Sequence, residues 1–103
     1  MVNQLIIVGR LVERPVLEKT ENEKKASTIV LAVGRSFKND NGEYDTDFIP
    51  VSLVGQIAVT TCEYCEKGDT IAIKGRVARM HGNDVQIVAD KVTFLAKGKK
   101  VDE

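Results

Sequence analysis

Five runs of this chain alternate apolar and other residues with a period of two. Only one stretch, between the third and fourth runs, has helical spacing. Successive side chains on a strand point to opposite faces, whereas a helix repeats its apolar positions at i, i+3 and i+4. The predicted order is therefore strand, strand, strand, helix, strand, strand. At 103 residues the chain has room for one domain and no second core.

The first run, Gln4 to Leu11, places Leu5, Ile7 and Leu11 on one face, with Gly9 between them. Ile6 and Val8 lie on the other face, closed by Arg10. Both faces are apolar over the middle, which a half-exposed antiparallel strand does not show. Little sequence is left to cover the second face, so a second subunit is expected to do so. Arg14-Pro15 breaks or turns the strand, and Lys19 to Lys25 reads as a solvated hairpin tip.

The second run, Ala26 to Gly34, has Ile29, Leu31 and Val33 on its core face. Gly34 permits a bend or bulge, so parity leaves open which way Arg35 and Phe37 point. Asn39-Asp40-Asn41-Gly42 is a strong turn signal. The third run, Asp47 to Leu53, turns Ile49, Val51 and Leu53 inward and leaves Phe48, Pro50 and Ser52 outward.

After Gly55, the segment QIAVTTCEYCEKG sets Ile57, Ala58, Thr61, Cys62 and Cys65 along one helical stripe, with Gly68 as its stop. The fourth run, Asp69 to Arg79, has Ile71, Ile73 and Val77 inward around Gly75. Lys74 and Arg76 share the opposite face, and Arg79 falls on the inward parity near the strand's end. Met80 to Asp84 is a short reversal. The fifth run, Val85 to Leu95, slips parity between Ala89 and Val92, which predicts a bulge near Asp90-Lys91. Phe94 is expected in the core, and Tyr64 is expected to be a packing residue. The final KGKKVDE has no periodicity, so residues 1–97 are expected to form the domain and 98–103 a short disordered tail. Five strands with one helix between the third and fourth is the all-β, Greek-key barrel order of the OB-fold. That fold binds ligands on its second and third strands and on the loops joining strands 1–2 and 4–5.

Catalytic chemistry is hard to assemble. The single histidine, His81, sits in a turn, and no nucleophile elbow, phosphate loop or paired metal-ligand motif is present. Cys62 and Cys65 lie late in the helical segment, where a redox pair does not normally sit, and a four-ligand zinc site lacks partners. They are expected to be packing residues. The reading is a non-enzyme with no cofactor and no metal. No stretch approaches the roughly 20 apolar residues of a membrane span, and the start is not signal-like, so a cytoplasmic, nucleoid-associated protein is expected. Lys plus Arg equals Asp plus Glu, 15 each, so any anionic ligand must be met by a local patch.

A stacking surface remains. Single-stranded nucleic acid is held by aromatics that take bases on their faces and by cations that track phosphates. Phe48 and Phe37 are the candidate platforms. Arg35, Lys38, Arg76 and Arg79 are the candidate phosphate partners, with Lys74 and Lys67 behind them. Tyr44, in the turn, is a third stacking candidate.

With those residues in place, the chain resembles the bacterial single-stranded DNA-binding protein family. VNQLIIVGRL is similar to that family's first strand. SFKNDNGEYDTDFIPVSLVGQIA is similar to the segment that carries its two aromatics around an N-G-E turn. CEYCEKGD is similar to its helix end and IKGRV to its fourth strand. By position the resemblance implies that Phe37 and Phe48 stack bases and that Lys67 lies near the DNA path. It also implies pairing of first strands across a dimer and assembly into homotetramers, in DNA replication, repair and recombination. The chain departs from the family in having no tryptophan, Val54 for a stacking Phe, Pro50 where some members are cationic, and a short reversal after strand 4. Weaker stacking is expected. Nothing here matches the family's long acidic tail, so the resemblance does not extend to tail-dependent repair partners. Two other readings follow from the same residues. One is a primosomal relative that contacts a helicase, which the clear helix disfavours. The other is an oligomeric protein-interaction module with little DNA affinity.

Overall fold

The computed structural model of the chain describes residues 1–79 and 84–98. In chain order its elements are β1 (Leu5–Leu11), β2 (Glu18–Lys19), β3 (Lys25–Lys38), β4 (Tyr44–Val54), α1 (Gln56–Tyr64), β5 (Thr70–Arg79) and β6 (Val85–Ala96). The sheet runs β1-β5-β6-β4-β3-β2, and a further β1–β3 pairing closes it into a barrel. Among the described residues only β4 and β6 pair in parallel, at Val51 and Ser52. This is the OB-fold that the element order predicts.

Closure depends on Gly9. Just past it β1 pairs on both edges, so that Arg10 faces Ala32 of β3 while still facing Thr70 of β5, and Leu11 faces Leu31. A Cβ on Gly9 would lie 2.9 Å from the Ala32 carbonyl oxygen and 2.9 Å from a Val33 methyl. Any side chain there would force the seam open. The predicted core faces of β1, β3, β4 and β5 meet inside, with Leu11, Leu31, Val51, Leu53, Ile71 and Ile73 fully buried. Helix α1 closes one end through Ala58, Thr61 and Ile57.

Four expectations need correction. β3 and β4 continue well past Gly34 and Asp47 as a projecting hairpin. The Asn39 side chain builds its turn: Oδ1 accepts from the N–H groups of Asn41 and Glu43, and Nδ2 donates to Asp45. The helix stops at Tyr64 rather than near Gly68, because the Glu66 N–H is taken by the Asp69 carboxylate at 2.8 Å. Val77 is exposed rather than inward, since the β5–β6 hairpin runs beyond the barrel's end. There the Asn3 side chain stands in for a strand, exchanging two hydrogen bonds with the Val77 backbone at 2.7 and 2.9 Å. Finally, Phe94 is 45% exposed and Tyr64 is exposed as well. They flank an open groove between α1 and β6 instead of filling the core.

The bulge expected near Asp90-Lys91 is present. Lys74 faces Lys91 and Gly75 faces Ala89, which leaves Asp90 without a cross-strand residue opposite it in the ladder. Cys65 is buried and Cys62 partly so. Burial, then the nearby Asp69 and Cys62, pushes the Cys65 thiol up, away from the reactive thiolate. Of the expected tail, Gly98 is held in place: its N–H donates to Asp69 Oδ1 at 2.9 Å. Residues 99–103 and most of the expected reversal, 80–83, lie outside the described residues.

Candidate nucleic-acid interface

The β3–β4 ladder sets the site. Its register pairs Thr28 with Ser52, Val30 with Pro50, Ala32 with Phe48 and Gly34 with Thr46. Register partners point to the same side of a sheet, and the alternate set (Ile29, Leu31, Val51, Leu53) is buried. The Phe48 set therefore forms the outer face. Phe48 is 64% exposed on it and Phe37, on the projecting hairpin, is 82% exposed. A register shift between Gly34 and Lys38 separates the two aromatics, and it is the irregularity that parity could not resolve. Val54 and Pro50 lie on the outer face with Phe48, both exposed and neither aromatic.

Depressions lie on both sides of Phe48. One, of about 280 Å³, runs between Pro50 and Ser52 of β4 and Val85 and Gln86 of β6, where the Ser52 hydroxyl meets Gln86 at 3.1 Å. The other, of about 440 Å³, lies between Ala32, Gly34 and Thr46 on one bank and Arg10, Lys67 and Gly68 on the other.

The predicted phosphate partners divide. Arg35 is bound to Asp47 by two hydrogen bonds, Nε to Oδ2 at 3.0 Å and Nη2 to Oδ1 at 2.9 Å, with Asp45 at 3.8 Å. The guanidinium holds the Asp47 carboxyl below its usual range, and Asp47 in turn raises the Arg35 pKa. Arg76 is paired with Asp90 at 2.5 Å, across the bulge that aims this carboxylate at it. Lys74 faces Lys91 and Ile6 on the outer face, but four residues along β5 from Thr70. Arg79 ends β5 on the second hairpin. Lys38 lies over the Tyr44 ring, 5.8 Å from its centroid, so Tyr44 is engaged by a cation. Lys67 stands on the groove beside Phe48's face. Sequence reasoning missed Arg10, which lines the same groove. Its parity placed it outward, but only the β1–β3 register places it next to Ala32.

A profile described as the single-strand binding protein family matches residues 2–95. The chain belongs to that family. It is 41% identical over 88 residues to single-stranded DNA-binding protein 1 of Streptococcus pyogenes, covering 84% of this chain and 67% of that protein. It is 35% identical to single-stranded DNA-binding protein B of Bacillus subtilis, covering 92% of this chain and 91% of that one. The crystal structure of wild-type single-stranded DNA binding protein from Thermus aquaticus superposes with a TM-score of 0.77 at 24% identity, a likeness of fold. That match covers 91% of this chain and 50% of the solved one, so the chain spans about half the length of that structure.

Proposed function

We propose that this protein binds single-stranded DNA without regard to sequence and protects it during replication, repair and recombination. The observation that carries the reading is Phe48, exposed on the outer face of β3–β4 beside a groove with Arg10 and Lys67 on its bank. Cations capture the backbone, and bases then stack on Phe48 and Phe37. Each stacked base contributes about 1–3 kcal/mol, and the phosphate contacts make affinity fall with salt. With Val54 and Pro50 in place of further stacking or cationic groups, affinity per subunit is modest.

The protein acts as a homo-oligomer. Among the described residues Leu5 to Val8 pair only with β5, which leaves their other edge open, and Ile6 on the outer face is 70% exposed. A second copy placing its β1 on that edge would satisfy the open backbone groups and cover Ile6 and Val8. Two such dimers make the tetramer.

Titration of poly(dT) with wild type and Phe48→Ala at several salt concentrations tests the reading. Wild type binds at low salt and Phe48→Ala binds about 5- to 150-fold more weakly, the equivalent of one stacked base. No binding by wild type at low salt refutes DNA binding, and an unchanged variant refutes stacking on Phe48. A stable monomer in light scattering refutes the oligomer.

A further inference from the structure

We propose that Arg10, Lys67 and Lys97 form a phosphate-binding basin that takes the backbone of the DNA strand after it leaves Phe48. This rests on the single-strand reading above and extends it to two residues, Arg10 and Lys97, that the predicted site did not contain.

The ladders line the site up. Phe48 faces Ala32, Ala32 faces Arg10, and Arg10 faces Thr70, so these residues form one transverse row over four strands. All point to the outer side of the barrel. Neighbouring strands lie about 4.8 Å apart, which puts Arg10 roughly 10 Å from Phe48 across the row. A strand with a base on Phe48 that crosses the sheet at right angles to its strands meets Arg10 next. Beyond Arg10 the surface stays concave. A depression of about 380 Å³ continues from Arg10 and Gly68 past Thr70 to Lys97 and Gly98. It shares Arg10 and Gly68 with the groove beside Phe48, so the two make one channel.

Three features suit the channel to phosphate. Its cations come from three separate places: β1, the α1–β5 connection and the segment after β6. Among the described residues, no carboxylate lines either depression, and none of the three cations is in an ion pair. The carboxylate below the floor, Asp69, is 3% exposed. Both its oxygens are occupied by backbone N–H groups, from Glu66 and Gly98. The floor itself is bare backbone, and a Cβ on Gly98 would lie 2.5 Å from the Gly68 carbonyl carbon. Two glycines in contact leave the space above them open to a ligand. Arg10 supplies a planar fork that matches two phosphate oxygens, and Lys67 and Lys97 supply point charges.

The test is a titration of oligothymidylate at several salt concentrations. It compares wild type, Arg10→Gln, Lys97→Gln, the double variant and Arg10→Lys, with thermal unfolding confirming that each is folded. Each lost contact reduces the magnitude of the log–log salt slope by about 0.7, and the double variant loses about twice that. Arg10→Lys keeps the wild-type slope. If the double variant has the wild-type slope and affinity while Phe48→Ala binds weakly, the strand takes another route. The basin is then refuted and the single-strand reading stands. If wild type does not bind, both are refuted.

Discussion

Two groups of cations flank Phe48, and they differ in what they face. On the projecting hairpin, residues 35–47 carry two cations, Arg35 and Lys38, and four carboxylates, Asp40, Glu43, Asp45 and Asp47, a net charge of −2. Arg35 is gripped by two of those carboxylates, and Lys38 lies over Tyr44. On the other side, Arg10, Lys67 and Lys97 line a channel to which none of the described residues contributes a carboxylate. A count of basic residues would rank the two regions nearly equal. Pairing makes them unlike, because a guanidinium already neutralised by a carboxylate gains little by exchanging it for a phosphate. Such an exchange would also leave Asp45 and Asp47 facing the incoming backbone.

The largest effect should come from undermining the basin's floor. Asp69→Ala removes the acceptor for the Glu66 and Gly98 N–H groups, which lowers unfolding stability by about 2–3 kcal/mol. Chemical denaturation reads this, and the hairpin pair Arg35–Asp47 should be untouched. Next comes release of Arg35. The double substitution Asp45→Asn with Asp47→Asn should tighten binding to oligothymidylate and steepen the salt slope by about 0.7, one added phosphate contact. The added slope should vanish when Arg35→Gln is introduced as well. A gain that survives Arg35→Gln would mean that only bulk charge had changed, and the contrast between the two regions would fail.

A smaller gain is expected from Asp90→Asn, which frees Arg76. Arg76 lies six residues along β5 from Thr70, about 20 Å at strand rise, so only long oligonucleotides should register it. The smallest effect is the titration of Asp47. Its carboxyl is depressed by the Arg35 hydrogen bond, so the pair's contribution is present above the ordinary Asp value of about 3.9 and is lost as pH falls through the lower folded value. In an NMR titration, the Asp47 midpoint should lie below that ordinary value in wild type and return toward it in Arg35→Gln.

Local pattern carried the reading far in this molecule. Parity alone turned Phe48 outward and Ile49, Val51 and Leu53 inward, because a strand's side chains alternate whatever surrounds it. The same rule located the bulge at Asp90 from a slip in the apolar set. It failed at Val77 and Phe94, since alternation says which side a residue takes and not where the barrel ends. It failed at the helix end because the group that stops α1, the buried carboxylate of Asp69, competes from beyond the helix.

The sequence by itself determined the element order, the two faces of each strand, the outward aromatic and the apolar outer face of β1, all of which depend on spacing within a few residues. Only the tertiary structure decided which charges are available. Asp47 is 12 residues from Arg35 and Asp90 is 14 from Arg76, while Arg10 and Phe48 meet through the registers of three strands. Those relations depend on how strands are aligned against one another. Alignment is set by closure of the barrel at Gly9 and by the bulge at Asp90, not by any residue's immediate neighbours.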